Sequence, residues 1–213
     1  MSGPGSSDSQ AVVEAEDLEV RYHGGPEPAV RGVTFRIAPG EGLMISGRGG
    51  AGKTTVLRAL LGLVAHRGAA ELFGHPAGAA ETRGRVGYGP EGTGFAPELR
   101  VRETVHAAAN VRGLSSPGTA ADDALARAGL QYVGGWRTSR LDAEGYRRLS
   151  LALAVMGDPD LMILDDPWVL SDTLREIRAA RERGAAVLVA ATRPGGIAPV
   201  LGRRITLYDG APR

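Results

Sequence analysis

Short apolar runs alternate with longer amphipathic segments along most of this chain. Three runs are almost entirely apolar, as is typical of parallel strands buried on both faces, and they lie over Leu43–Ser46, Leu161–Asp165 and Ala186–Ala191. Residues 30–37 alternate between apolar and polar positions, and residues 11–22 also have a strand-like pattern. Further strands are predicted over 68–76, 85–88 and 205–208, and helices over 55–63, 101–111, 119–128, 144–156 and 171–183.

The order of these elements predicts an α/β fold. Strands that alternate with helices favour a mostly parallel central sheet, with an antiparallel β subdomain near the N-terminus. The helices between Val101 and Met156 would form an inserted helical subdomain, at about residues 92–157. Residues 1–10 are rich in Ser, Gly and Pro and predict a disordered tail. A total of 213 residues suits one domain, so residues 11–213 are expected to form a single domain.

Composition narrows the classes of partner. The net charge of +1 gives no reason to expect a nucleic acid or an anionic membrane surface as a partner. The absence of cysteine excludes disulfides and cysteine-based metal sites. No run approaches the roughly 18–20 apolar residues that span a bilayer, and the N-terminus lacks the pattern of a signal peptide. A role at a membrane would therefore require another chain for the membrane part.

One glycine-rich stretch carries the chemistry. Gly47-Arg48-Gly49-Gly50-Ala51-Gly52-Lys53-Thr54 fits G-x-x-x-x-G-K-[ST], the phosphate-binding loop of the P-loop NTPases. The glycines let successive N–H groups face inward around phosphate oxygens, and the helix that follows, with Thr55 at its start, adds its dipole. Lys53 is the single lysine among 25 basic residues, and it would reach the β- and γ-phosphates. The Thr54 hydroxyl would hold Mg²⁺, so the sequence predicts a nucleotide site.

A second element fits the same site. The apolar strand Leu161–Asp165 ends in two carboxylates, Asp165 and Asp166, before Pro167. In a P-loop protein, the first carboxylate holds the metal directly or through water, and the second is placed toward an attacking water. Without the phosphate loop upstream, the same residues would indicate only a solvated turn.

From about Val13 to Gly210, the chain resembles the ATP-binding subunit of ABC transporters. Arg147–Pro167 is similar to the segment that joins the family's signature helix to its second metal motif. Tyr22 matches the aromatic residue that stacks on adenine. Glu91 lies where the family usually has a Gln that contacts Mg²⁺ and the membrane partner. The resemblance implies the ABC ATPase fold, with ATP and Mg²⁺ as cofactors.

The signature sequence departs from the family pattern. The family has L-S-G-G-Q in the segment that covers the γ-phosphate of the opposite subunit, and Leu141–Gly145 aligns with it. Asp142, Ala143 and Glu144 would therefore act in trans. A carboxylate about 4 Å from a phosphate charge is repelled by roughly 4 kcal/mol at an effective dielectric of about 20. This repulsion predicts a weakened dimer site.

Two catalytic positions also differ. The acid that polarises water is usually Glu in the family, and here it is Asp166, one methylene shorter. The late His that contacts the γ-phosphate falls at Thr192, which reaches less far, and the neighbouring Arg193 is an alternative. The stretch between Asp165 and Thr192 is shorter than in the family, which predicts a trimmed dimer-contact loop around Val169–Asp172.

The resemblance implies a function in transport. The chain would be a cytoplasmic subunit that works as a homodimer or a heterodimer and drives a separately encoded permease on the cytoplasmic face of the membrane. The altered motifs leave a nucleotide-binding switch subunit without hydrolysis as an alternative. A soluble ABC ATPase without a membrane partner and an unrelated P-loop kinase are further alternatives. The former usually has paired cassettes or long coiled-coil insertions, and this chain has neither.

Overall fold

The computed structural model describes residues 10–25, 27–92, 94–167 and 171–213. The tail predicted at 1–10 lies outside the described residues except for Gln10, and so do Val169 and Leu170 of the predicted dimer-contact loop. The described strands are β1 (Val13–Val20), β2 (Val30–Ile37), β3 (Gly42–Ser46), β4 (Arg67–Leu72), β5 (His75–Pro76), β6 (Val86–Gly89), β7 (Leu161–Asp165), β8 (Ala186–Ala191), β9 (Gly202–Tyr208) and β10 (Ala211–Pro212). The described α-helices are α1 (Lys53–Leu60), α2 (Val101–Val111), α3 (Pro117–Arg127), α4 (Ala143–Val155), α5 (Ser171–Glu182) and α6 (Ala198–Leu201).

The described strands form two sheets. The first is antiparallel, with the order β2-β1-β4-β5, and the second has the order β10-β9-β3-β8-β7-β6. Within the second sheet, neighbouring strands from β9 to β6 run parallel, and β10 is antiparallel to β9. This architecture, with the helices α2 to α4 inserted between β6 and β7, confirms the predicted fold class. The bounds of the helical subdomain at 92–157 stay a prediction.

The central sheet is covered on both faces. Every residue of β3, β7 and β8 is buried. Leu43 and Ile45 of β3 belong to a core shared with α1 and the antiparallel sheet, whereas Met44 between them belongs to a core shared with α2, α3, α4 and α5. Because successive side chains of a strand point to opposite faces, a strand covered on both sides must be apolar throughout. This is why these strands were recognisable as continuous apolar runs.

The element bounds differ from the prediction where the local pattern is weak. Helix α1 begins at Lys53, two residues before the predicted start, because Gly52 is its N-cap. Strand β9 begins at Gly202 instead of residue 205, and its early residues Arg203 and Arg204 are exposed. Helix α6 and strand β10 were not predicted, since four and two residues are too short to show a period. Among the described residues, no helix is both long enough and apolar enough to cross a bilayer.

Candidate functional site

The predicted phosphate loop connects the end of β3 to the start of α1. A side chain at Gly47 would place its Cβ 2.6 Å from the carbonyl oxygen of Leu207, and one at Gly52 would place it 2.5 Å from that of Ala29. Gly52 also has a φ of 93°, in the left-handed region that favours glycine. Around the Cβ positions of Gly49 and Gly50, by contrast, no atom lies within 4 Å. Gly47 and Gly52 therefore fit the loop against its neighbours, whereas open space surrounds Gly49 and Gly50.

Lys53 folds back across this loop. Its Nζ donates hydrogen bonds of 3.0 Å to the carbonyl oxygens of Gly47 and Arg48, and the residue is only 7% exposed. Among the described residues, no carboxylate pairs with this ammonium group. A buried cation without a counter-charge, at the rim of an open loop of N–H groups, favours an anionic ligand.

Thr54 and Asp165 join α1 to the end of β7. The Thr54 hydroxyl donates a 2.9 Å hydrogen bond to Oδ1 of Asp165, which is 3% exposed. Oδ2 of Asp165 is buried, and no described group bonds to it. Burial raises the pKa of Asp165 to about 6; the Thr54 hydrogen bond opposes this shift, whereas Glu91 and Asp166 add to it.

These oxygens fit a magnesium ion. Mg²⁺ prefers oxygen ligands, keeps several waters, and is usually bound by one or two protein groups together with substrate phosphates. The hydroxyl of Thr54 and the carboxylate of Asp165 are such groups. The described residues contain no cluster of three or more His, Cys, Asp or Glu that could hold a metal on its own. The donor set therefore suits a metal that arrives with a phosphate ligand.

Glu91 lies close to the same carboxylates. A cavity of about 150 Å³ is lined by Glu91, Asp165, Asp166 and Tyr146 of α4, together with their neighbours. Phe95, in the loop after Glu91, stacks on the Tyr146 ring with a centroid distance of 6.2 Å and an interplanar angle of 6°. This stacking connects the Glu91 loop to α4 beside the predicted metal site. The structure thus brings together three of the predicted acidic site residues.

The two predicted catalytic residues are in contact. Oδ1 of Asp166 accepts a 2.8 Å hydrogen bond from the backbone N–H of Thr192, so the contact involves the main chain of Thr192 and not its hydroxyl. Asp166 has a φ of 45°. Thr192 and Arg193, directly after β8, are both exposed.

Tyr22 stands beside the phosphate loop. Its hydroxyl lies 3.4 Å from the hydroxyl of Thr55 in α1, and 41% of the residue is exposed. An exposed aromatic ring next to a phosphate loop is a suitable stacking surface for a base. Arg48, at the other end of the loop, places its guanidinium 5.7 Å from the centroid of the Tyr208 ring.

The predicted signature residues lie at the start of α4. Oδ1 of Asp142 accepts a 2.8 Å hydrogen bond from the N–H of Gly145 and so caps the helix. Glu144 pairs with Arg148 at 2.8 Å, one turn further along. Ala143 lines the 150 Å³ cavity. The carboxylates that replace the family residues therefore have structural partners within α4.

Sequence reasoning missed Tyr88, which also lies at this site. Burial, together with the nearby Asp165 carboxylate, raises the pKa of Tyr88 to about 12. Tyr88 is opposite Ile163 in the parallel pairing of β6 with β7, two residues before Asp165. The order of the strands would have placed Tyr88 near Asp165, but the order is not visible in the sequence.

Comparisons with known proteins agree with this geometry. A family model described as ABC transporter matches residues 30–169. The Nod factor export ATP-binding protein I of Paraburkholderia xenovorans is 36% identical over 191 residues, which cover 84% of this chain and 62% of that protein. The lipoprotein-releasing system ATP-binding protein LolD 1 of Caulobacter vibrioides is 32% identical over 222 residues, which cover 93% of each chain. The chain thus spans about 62% of the length of the Nod factor relatives.

Solved structures show the same fold. An ATP-binding subunit of an ABC transporter superposes with a TM-score of 0.83 at 23% identity, covering 94% of this chain and 88% of that one. A dimeric ATP-binding cassette in a post-hydrolysis state with ADP and Pi gives a TM-score of 0.84 at 21% identity, covering 94% and 96%. With the family match and the relatives above 30% identity, these findings establish that the chain belongs to the ABC transporter family, as a nucleotide-binding domain.

Proposed function

We propose that this chain binds MgATP, hydrolyses it slowly, and thereby drives a separately encoded permease from the cytoplasmic face of a membrane. The observation that carries the proposal is the convergence of Lys53, Thr54 and Asp165 on one open phosphate loop. Thr54 and Asp165, the two residues that we propose as metal ligands, share a hydrogen bond of 2.9 Å, and this contact supports the proposal. The buried Oδ2 of Asp165, to which no described group bonds, would then coordinate Mg²⁺.

The phosphate groups of ATP would lie along Gly47–Thr55, and the adenine would stack on Tyr22. Mg²⁺ would be held by Thr54 and Asp165, with Glu91 directly or through a water. When bound, the ion supplies positive charge to the β- and γ-phosphates. Lys53 adds a second positive charge from within the loop.

Slow hydrolysis is expected because the catalytic half of the site is altered. Asp166 is the candidate group that polarises the attacking water, and its carboxylate already accepts a hydrogen bond from Thr192. A second subunit would contribute Asp142, Ala143 and Glu144, and the carboxylates would approach the γ-phosphate with unfavourable charge. A switch subunit that binds ATP without hydrolysis is the second candidate, and the acidic signature favours it.

The permease has a candidate docking surface. A cavity of about 360 Å³ between α2, α4 and the segment that follows α1 has an apolar lining, with Leu63 63% exposed and Val111 77% exposed at its rim. Arg83 and Arg112 also line it. Arg112 donates hydrogen bonds to the carbonyl oxygens of Met156 and Gly84, whereas no described carboxylate pairs with Arg83. An amphipathic helix of the permease would fit this surface, since its apolar face would cover the apolar lining and a carboxylate on it would pair with an arginine. The substitutions Leu63→Glu and Val111→Glu should abolish stimulation of hydrolysis by membrane vesicles from the source organism and leave MgATP affinity within about twofold.

One experiment tests the central proposal. MgATP affinity and steady-state phosphate release are measured on the purified chain, on Lys53→Ala and on Arg102→Ala as a control on the surface of α2. Lys53→Ala should weaken binding at least about tenfold, or 1.4 kcal/mol, and Arg102→Ala should leave it unchanged. Unchanged affinity in Lys53→Ala would refute the site. Tight binding of the unaltered chain with turnover above the Lys53→Ala blank supports the ATPase, and binding without turnover supports the switch subunit.

A further inference from the structure

Asp166 connects the carboxyl ends of two neighbouring strands. Its backbone N–H donates a 2.8 Å hydrogen bond to the carbonyl oxygen of Ala190 in β8. Its side-chain Oδ1 accepts a 2.8 Å hydrogen bond from the N–H of Thr192, two residues further on. The residue that follows β7 is therefore bound by its main chain to the end of β8 and by its side chain to the segment that follows β8.

The conformation of Asp166 explains the choice of residue. Its φ of 45° lies in the left-handed region, where Asp and Asn are enriched among the non-glycine residues. Short carboxylates in turns also bind nearby backbone N–H groups more readily than longer side chains do. A Glu at this position would have one more rotatable bond, and the same carboxylate oxygen would no longer lie opposite the Thr192 amide without refolding of its side chain.

Asp166 lines the 150 Å³ cavity together with Glu91 and Asp165. Within the described part of the chain, Oδ1 is the carboxylate oxygen that accepts a hydrogen bond. We infer that Asp166 and the backbone amide of Thr192 form a positioning pair, in which the amide fixes Oδ1 and directs Oδ2 toward a water in this cavity. The inference rests on the proposed ATPase function. In this inference, the backbone N–H of Thr192 orients Asp166, and the Thr192 hydroxyl has no role in that orientation.

The pair is tested first by amide hydrogen exchange at Thr192, followed by nuclear magnetic resonance. In the unaltered chain and in Asp166→Asn, which keeps an oxygen acceptor, the Thr192 amide should be protected. In Asp166→Ala it should exchange at least about tenfold faster, because its acceptor is lost. The Ala38 amide, which donates to Oε2 of Glu41 at 3.1 Å, is a matched control and should not change. Equal exchange at Thr192 in all three chains would overturn the pair.

Measurements of ATP turnover test the role of the Asp166–Thr192 pair in hydrolysis. Thr192→Val keeps the amide and loses the hydroxyl, whereas Thr192→Pro loses the amide hydrogen. Ala191 before it is an extended strand residue, the conformation that a following proline requires. Thr192→Pro should lower kcat at least about tenfold more than Thr192→Val, with KM for ATP within about twofold in both. Equal losses in the two variants would overturn the inference.

Asp166→Asn separates orientation from charge. This variant keeps the hydrogen bond and loses the negative charge, so its kcat should fall at least about tenfold while the Thr192 amide stays protected. Full retention of kcat would overturn the assignment of Oδ2 to a water. Binding of MgATP without turnover in the unaltered chain would overturn the pair's catalytic role together with hydrolysis in the proposed function. If the unaltered chain hydrolyses ATP but exchange of the Thr192 amide does not depend on Asp166, the positioning pair alone is overturned.

Discussion

Two ion pairs with the same N–O distance differ strongly in burial, and this makes their contributions to stability predictable. Arg127 at the end of α3 approaches Glu176 of α5 with an N–O distance of 2.6 Å, and their side chains are 18% and 5% exposed. Arg102 of α2 approaches Asp122 of α3 at the same 2.6 Å, but these side chains are 61% and 52% exposed. Arg127 also pairs with the exposed Asp123 and Asp158, at 3.4 and 3.0 Å. Arg127→Met and Arg102→Met therefore compare the loss of a buried ion pair with the loss of an exposed one.

The structure gives the expected magnitudes. Removing one partner of a buried pair leaves an uncompensated charge and costs about 3–5 kcal/mol. Arg175 also contacts Glu176, at 3.2 Å, so the lower end of about 3 kcal/mol is expected for Arg127→Met. Exposed pairs contribute about 0.2–1 kcal/mol, which is the expected loss for Arg102→Met. In a chain of this size, 1 kcal/mol shifts the Tm by about 2–4 °C.

Thermal unfolding followed by circular dichroism at about 0.15 M salt measures the difference. Arg127→Met should lower the Tm by about 6–12 °C, and Arg102→Met by about 4 °C or less. Arg127→Met combined with Glu176→Leu should recover most of the loss, since it leaves no buried charge unpaired. Equal shifts in the two single variants would refute the argument from burial.

Three further predictions follow from the site. The free energy of unfolding of the nucleotide-free chain should fall by up to about 3 kcal/mol as the pH rises from about 4 through about 6. Burial raises the pKa of Asp165 to about 6 in the folded chain, so this carboxyl group ionises at a lower pH in the unfolded chain. Asp165→Asn should flatten the pH dependence in urea titrations. Gly52→Ala should lower both the Tm and the MgATP affinity, since the new Cβ would lie 2.5 Å from the Ala29 carbonyl oxygen. Gly49→Ala is the control: no atom lies within 4 Å of its Cβ position, so the Tm should change by less than about 2 °C. Asp142→Ala should cost about 1 kcal/mol of unfolding free energy in the same urea titrations, because α4 loses its N-cap.

Much of the fold was predictable because burial on both faces of a strand, or along one face of a strand or helix, leaves a simple pattern. Strands β2, β7 and β8 and helix α2 have the predicted bounds without change. The start of β9 was missed because Arg203 and Arg204 interrupt the apolar run there, and Arg203 instead pairs with Glu41 at 2.7 Å. Local patterns identify elements whose environment is uniform, and they fail where one end of a strand emerges from the core.

The site was predictable to the extent that it is contiguous in sequence. The phosphate loop could be recognised because the spacing of its Gly, Lys and Thr residues is fixed by the backbone conformation of the loop itself. The Thr54–Asp165 hydrogen bond joins residues 111 positions apart, and only the P-loop pattern suggested that they meet. No pattern indicated that Asp166 would bind the main chain of Thr192, 26 positions away, because that contact depends on the order of β7 and β8 and on a single left-handed residue.

The altered family positions are consistent with substitution under a structural constraint. Asp142 and Asp166 each accept a backbone N–H at 2.8 Å, the first at the start of α4 and the second after β8. The two carboxylates therefore hold the geometry of the loops around the site even if they lower the rate of hydrolysis. Asp166→Glu together with Thr192→His keeps the backbone N–H at position 192, so it should raise turnover only if the longer carboxylate still accepts a hydrogen bond from that N–H. A fall in turnover with unchanged MgATP affinity would show that the Asp166 hydrogen bond contributes more than the longer acid.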